Sequence, residues 1–365
     1  MRTTWPQALA WRLRRHLLDP VGTGSSADVV GTLGAVPAHP DDAAELAVRV
    51  RRQESDGGDV ARALADGTLI KSFAFRGATH LMTPEHAAAF LALRASSRMW
   101  ELPSWQTFYG LAPDDWPPLR HVVRDALADG PLTVPALGEA VVADPRYRHL
   151  AQTFADGPWT LLKAFAWQGD LCFGPDEDGQ TTFQRLDDNP RWTGLLDLDA
   201  AGARAVEAYL RAYGPTTARH LQYWLGEGLG SGRRNVQRWV ADLGDRLAEV
   251  DVDGEPAALL RDDLDELAAA SPSHSLRLLP RYDQWVLGPG TADAHVVPPE
   301  RRAVVSRGAA VVVVGGVVHG TWSLDGDDVR VDWFSGRSAA REALDDEVGR
   351  LAAIVGRPLR PPEVP

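Results

Sequence analysis

The order of helical and strand-forming stretches predicts an α+β chain, mostly α with β: three tandem units of one kind, then a β-rich C-terminal domain. Three observations carry this reading. Stretches of helical periodicity, closed by two short extended stretches around a polar turn, recur near residues 5–82, 116–186 and 199–260. The closing turns carry Gly or Asp-Gly, which punctuate strands. After residue 275 the pattern changes to β-branched runs about a Gly-Gly pair. Helices closed by a hairpin are the pattern of a winged helix. The expected units are winged helices at 1–95, 110–190 and 197–260, with a C-terminal domain at 275–365.

In chain order, Trp5, Leu9, Leu13 and Leu17 lie at helical spacing across residues 5–18, and Asp19-Pro20 ends that helix. Ser25 or Ser26 caps a second helix that stops near Gly34. A third is expected over 42–53, and a fourth over 60–65 with Asp59 as its cap. Residues 68–76 and 77–82 read as two strands, and Thr83-Pro84-Glu85 opens a long helix. The second unit has helices near 116–129, 133–142 and 147–168, then strands at 169–174 and 181–186. The third has helices at 199–213, 216–225 and 232–243, then strands at 247–252 and 257–260 about Asp253-Gly254. Strands at 275–280, 309–314, 317–322 and 329–334, the middle two joined by Gly315-Gly316, build the last domain. A helix over 338–355 closes it.

Composition excludes several function classes. A chain of 365 residues buries a large core. It holds no apolar run of transmembrane length and no signal-peptide segment, so the expectation is a cytoplasmic protein with no membrane partner. The single cysteine, Cys172, rules out an intrachain disulfide and argues against a cysteine-built metal site. It is expected to be a small buried hydrophobe, and no metal or cofactor is expected. The net charge of −12 excludes a broad nucleic-acid-binding surface, so any DNA contact must come from local basic patches. Trp100, Trp105 and Trp116 are expected in the core.

The most reactive stretch is Val36-Pro37-Ala38-His39-Pro40-Asp41-Asp42, read with Arg76-Gly77-Ala78-Thr79-His80. His39 sits between two prolines that restrict its backbone, with two carboxylates just after it. An imidazole beside carboxylates suits a general base or a water-positioning group near neutral pH. The structural alternative is a helix start, with Pro40 in the first turn and the acids complementing the dipole.

At this point the chain resembles the bacterial AlkZ-like tandem winged-helix DNA glycosylases, which remove bulky or crosslinking alkyl adducts. The resemblance spans nearly the whole chain. It rests on Leu33-Gly34 before the 37–42 turn, Phe75-Arg76-Gly77-Ala78-Thr79-His80-Leu81, Gly214-Pro215-Thr216-Thr217 ahead of Trp224-Leu225-Gly226, Leu278-Leu279-Pro280-Arg281-Tyr282-Asp283-Gln284, and Val318-His319-Gly320-Thr321-Trp322. The family's catalytic turn reads Gln-apolar-Gln, or Gln-apolar-Asp in a sister branch. Here those positions hold Pro37, Ala38 and His39, and the usual Asp-Pro reads Pro40-Asp41. Ala78 replaces a threonine in the Arg-Gly-Thr-x-His element, which keeps Arg76 and His80. These departures fit a site rebuilt for a different lesion or a site that has lost catalysis.

The resemblance implies hydrolysis of the N-glycosidic bond of bulky, intercalating N7-alkylguanines in double-stranded DNA, as self-resistance to a genotoxic natural product, by a monomer. His39, Asp41 and Asp42 are then the candidate catalytic residues, supported by Arg76, His80 and Pro37. Candidate DNA contacts are Arg12, Arg14 and Arg15, Arg49, Arg51 and Arg52, Arg233, Arg234 and Arg238, and His319. A solvated helix face is the alternative for each arginine cluster. The competing class is a binding module: a transcription regulator or a non-catalytic lesion binder, for which a symmetric dimer on duplex DNA is the distinguishing expectation. A drug-sequestering protein with no DNA role is the third class.

Overall fold

The structure is a computed structural model that describes residues 1–334 and 341–362. Residues 338–340 of the expected closing helix lie outside the described residues. Arg341–Val355 is helical.

Three helical sets each carry a three-stranded sheet, made of a hairpin plus one short outer strand. In the first set Val36–Pro37 and Ile70–Phe73 flank Thr79–Met82, all antiparallel. In the second Leu132–Thr133 and Leu171–Phe173 flank Thr182–Arg185. The two sheets meet through Phe73, whose ring centroid is 4.9 Å from that of Phe173. The third hairpin, Leu247–Val252 with Glu255–Leu260, turns at Asp253 and Gly254, both at positive φ.

The outer strand of the third sheet comes from the far end of the chain. Arg2–Thr3 pairs in parallel with Asp251 and Val252. Helix Trp5–Arg15 follows it there: Trp5, Ala8 and Trp11 pack with Val250, Val252 and Leu259. Leu9 and Leu13, on its other side, join Leu279, Trp285 and Val311 of the C-terminal region. The first helix therefore lies in the core of the third set, and not with the unit in which sequence order placed it. A two-residue strand carries too little pattern to announce that partner.

Other elements follow the expected chemistry. Ser25 and Asp28 form a capping box at the start of Ser26–Leu33. The helix expected over 147–168 is broken at Gly157-Pro158 into Ala151–Asp156 and Trp159–Trp167. The long helices Pro84–Ser96 and Leu198–Tyr213 both feed the main core, which also takes Trp100 and Trp116. Trp105 packs against Trp116, half-buried. The buried thiol of Cys172 is pushed up to about 12 by desolvation, so it is an inert hydrophobe. In the C-terminal region, strands Leu276–Leu279, Val311–Val314, Val317–Asp325 and Asp328–Trp333 form one antiparallel sheet in chain order. Gly315 and Gly316, both at positive φ, make its tight turn. Leu344, Val348 and Leu351 of the closing helix cover Leu276 and Leu278. No helix among the described residues is long and apolar enough to cross a membrane.

Candidate active site

The outer strand of the first sheet is Val36–Pro37, and Ala38-His39 continues from its end. Pro37 pairs with His80, and Ala38 N donates to Thr79 O at 2.8 Å. Ala38 is buried, Pro37 half-buried and His39 exposed. No side chain among the described residues hydrogen-bonds the His39 ring.

The carboxylates behind it are engaged elsewhere. Asp41 and Asp42 form the first turn of helix Asp41–Arg49. Asp41 Oδ2 accepts from Lys71 Nζ at 2.7 Å, and Asp42 Oδ1 accepts from Ala43 N at 2.9 Å. The expected orientation of the imidazole by either acid is thus not formed, because the helix start turns both away to partners of their own. Asp41 borders a cavity of about 570 Å³ with Lys71, Cys172 and Phe173. Asp42 borders a larger one of about 790 Å³ against the C-terminal sheet, walled by Leu46, Ala310, Trp322 and Val331 and edged by Arg281 and Arg307.

Arg76 and His80 hold the hairpin that pairs with this edge. Arg76 stands at the turn with φ +52, and its N–H donates to Gly228 O at 2.7 Å. Its guanidinium lies over the Tyr223 ring at 4.1 Å. The turn of the first sheet is thereby docked on the third set. His80 is buried below it. Desolvation lowers its pKa to about 4 although the bond to Ala78 O, at 2.9 Å, opposes that shift. A neutral ring therefore donates from Nδ1 to Ala78 O. Across the sheet His80 stands opposite Pro37 of the edge strand.

A third cavity, of about 680 Å³, lies beside Tyr223 and is lined by Arg219, Arg233 and Arg302. Helix Arg302–Ser306 separates it from the cavity at Asp42: Arg302 lines one, Val304 the other.

The whole chain has close relatives in sequence and in structure. A family model described as DNA glycosylase AlkZ-like matches residues 30–354. The chain belongs to the AlkZ-like DNA glycosylase family. It is 37% identical over 363 residues, 98% of both chains, to the interstrand DNA cross-link repair glycosylase of Streptomyces sahachiroi. The solved structure of Streptomyces sahachiroi DNA glycosylase AlkZ matches with a TM-score of 0.93 at 35% identity, covering 99% of this chain and 100% of that one. Membership makes this chain an enzyme of DNA, a glycosylase, and directs attention to its free cations.

Most of the arginines expected on DNA face inward. Arg12 is 1% exposed, donates to Pro215 O at 3.2 Å and lies 3.9 Å from Asp293. Arg15 pairs with Asp263 and Glu266. Arg49 is held by Ser55, and Arg52 by Asp59 and Gly24 O. Arg51 is buried in a bidentate pair with Asp283, at 2.8 and 2.6 Å. Of these two clusters Arg14 alone is exposed. Arg12, Arg15 and Arg51 turn inward because carboxylates of the C-terminal half, more than two hundred residues away in sequence, claim them, whereas Arg49 and Arg52 are held by nearby groups of the first set.

Arg233 and Arg234 are exposed and have no carboxylate partner among the described residues, whereas Arg238 is held by Asp199 at 2.5 Å. His319 is half-buried on strand Val317–Asp325, and burial lowers its pKa. Sequence reasoning missed Arg219 and Arg302, which are exposed and likewise without a carboxylate partner. A signal was present. Helix Arg233–Asp242 begins with two arginines and has no acid in its first turn, which opposes the helix dipole unless an external anion sits there. Arg219 and Arg302 also stand in first turns that contain no acid.

Proposed function

We propose that the chain hydrolyses the N-glycosidic bond of bulky, intercalating N7-alkylguanines in duplex DNA, crosslinks included, as self-resistance to a genotoxic natural product. One observation carries the reading: His39 stands exposed at the family's catalytic turn, just past the edge strand, and Pro40 and Asp42 directly after it line the cavity of about 790 Å³ edged by Arg281 and Arg307. Alkylation at N7 makes the base a cationic leaving group, so the enzyme needs to place water and to stabilise an oxocarbenium-like sugar. His39 takes the proton as water adds to the sugar carbon. The C–N bond electrons leave with the base and neutralise it. Asp42, close behind, opposes the positive sugar. Bulky adducts resist flipping into a pocket, so the lesion stays in the duplex with its bulk in the cavity of about 790 Å³.

DNA lies across Arg76, Arg219, Arg233, Arg234 and Arg302 in this reading, and these contacts position without reading sequence. We assign winged-helix units to 1–95, 110–190 and 197–260, the first lending Arg2–Thr3 and helix Trp5–Arg15 to the third, with a C-terminal domain at 275–365. The enzyme acts as a cytoplasmic monomer.

The test is incubation with duplex DNA bearing one bulky N7-guanine adduct, followed by detection of abasic sites. His39→Ala should fold and bind DNA while releasing the base on the order of 10²–10⁴ more slowly. Equal rates would place the catalytic group elsewhere. One observation favours a second reading: Pro37 brings no side-chain donor or acceptor to the turn. Tight lesion binding without release from any bulky adduct would establish a non-catalytic lesion binder.

A further inference from the structure

The protein contains two buried Arg–Asp pairs of different construction. Arg51 and Asp283 are fully mated. Arg12 and Asp293, each 1% exposed at the side chain, stop at 3.9 Å, beyond a hydrogen bond. Asp293 Oδ1 is satisfied by the His295 backbone at 3.0 Å and by His295 Nδ1 at 2.9 Å. That imidazole is itself stacked on Trp5 at 3.6 Å. Asp293 Oδ2 has no hydrogen-bond partner among the described residues, and neither do Arg12 Nη1 and Nε. His220 Nε2 is also 3.9 Å from Oδ2, and its Nδ1 is unpartnered too.

These groups are not scattered. Asp293 and His220 both line the cavity of about 680 Å³ below Arg219, Arg233 and Arg302. Gln222, whose buried Oε1 is a further unpartnered acceptor, lines it as well. Gln222, Tyr223 and Glu227 reach the cavity from one π-helical turn, Gln222–Glu227, a conformation frequent at functional sites. A Cβ on Gly226 would stand 2.0 Å from Gln222 Nε2, so a side chain there would displace the Gln222 amide. Ala218, Val236, Val240 and Pro289 supply apolar wall. Drug-sized ligands occupy cavities of this size and composition.

The 3.9 Å gap between Arg12 Nη1 and Asp293 Oδ2 selects the ligand. One oxygen at about 2.8 Å from each would close both bonds, accepting from the guanidinium and donating to the carboxylate. A hydroxyl does both, and an ether or an ammonium does one. The cavity is also within reach of the reaction. Pro37, two residues before His39, pairs with His80, and Arg76 at the turn of that same hairpin stacks on Tyr223 at 4.1 Å.

We propose that this cavity is a second recognition site, taking a hydroxyl-bearing, partly apolar substituent of the adduct through Asp293, Arg12, His220 and Gln222. The proposal rests on the glycosylase reading above. The same chemistry is offered by the substituent on DNA or by the free small molecule.

The test uses two duplexes, each with one N7-guanine adduct built on a naphthyl ring. One tether ends in a primary alcohol, the other in its methyl ether. Anisotropy titration of the full chain should give roughly tenfold tighter binding of the alcohol, the size of one well-made hydrogen bond. Asp293→Asn should bring the ratio close to one. Should that variant fail to fold, Gln222→Met, which leaves the Arg12–Asp293 cluster in place, should narrow the ratio. Equal affinities for the two duplexes in the wild-type protein overturn the proposal, as does a preference that survives both substitutions. Competition by the free naphthyl alcohol assigns the free molecule as a source, and its absence assigns the DNA-borne one. An alcohol preference without base release sinks the chemistry and leaves the cavity. Base release without the preference does the reverse.

Discussion

The arginines divide into those locked inside and those free around one cavity, and salt dependence separates the two groups. Each phosphate contact releases counterions and contributes roughly 0.9 to the slope of log K against log salt. Five exposed arginines form the proposed face: Arg219, Arg233 and Arg302 line the cavity, Arg234 follows Arg233 in sequence, and Arg76 stacks on Tyr223. The expected slope is therefore about −4.5, equivalent to an affinity loss of about 500-fold between roughly 50 and 200 mM salt. Arg233→Gln and Arg302→Gln should each flatten the slope by about 0.9, and the double variant by about 1.8. Arg52→Gln should leave the slope alone, because its guanidinium is already held by Asp59 and Gly24 O. Anisotropy titrations of an unmodified duplex over a series of salt concentrations make the measurement. An unchanged slope in the double variant, or a flattened one in Arg52→Gln, would refute this division.

Three further expectations follow from particular contacts. Asp42→Asn should slow base release more than Asp41→Asn, because Asp41 is already paired with Lys71 away from the C-terminal cavity. The reverse order in single-turnover rates would exchange their roles. His80 and His86, both held near pKa 4 chiefly by burial, bind fewer protons folded than unfolded between pH 4 and 6.5. Stability is then full above pH 6.5 and lost as pH falls through that window, by about 2 kcal/mol per histidine between pH 7.5 and 5. Urea midpoints should show the loss, and His80→Asn, which can still donate to Ala78 O, should remove its share. A wild-type-to-variant gap independent of pH counts against it. Arg51→Met should cost about 3–5 kcal/mol in the same unfolding assay, because it strands a buried Asp283. A cost below about 1 kcal/mol would mean that the pair is solvated.

What was legible in the sequence was local. The capping box at Ser25, the positive-φ turn at Asp253-Gly254 and the Gly315-Gly316 hairpin each announce themselves within a few residues. The edge strand under His39 was legible as a turn between prolines. Its partners were not, since Lys71 captures Asp41 from the next hairpin. The N-terminal arginines misled for a related reason. A charged helix face looks the same in sequence whether it meets water or a buried carboxylate, and the carboxylates that claim Arg12, Arg15 and Arg51 come from residues 263–293. Arg219 and Arg302 were obscured by standing singly or beside other charges.

The parallel pairing of Arg2–Thr3 with Asp251 and Val252 has a consequence for how the protein is made. These first residues leave the ribosome long before their partner strand exists. Helix Trp5–Arg15 must meanwhile keep Trp5, Trp11, Leu9 and Leu13 from other apolar surfaces until the third and C-terminal sets have emerged. Contacts so distant in sequence slow folding, and an unpaired strand with an uncovered helix is a site of misassembly. A segment synthesised well before its partners is thus among the last to be secured, and the time between the two events is when a nascent chain would most benefit from a chaperone.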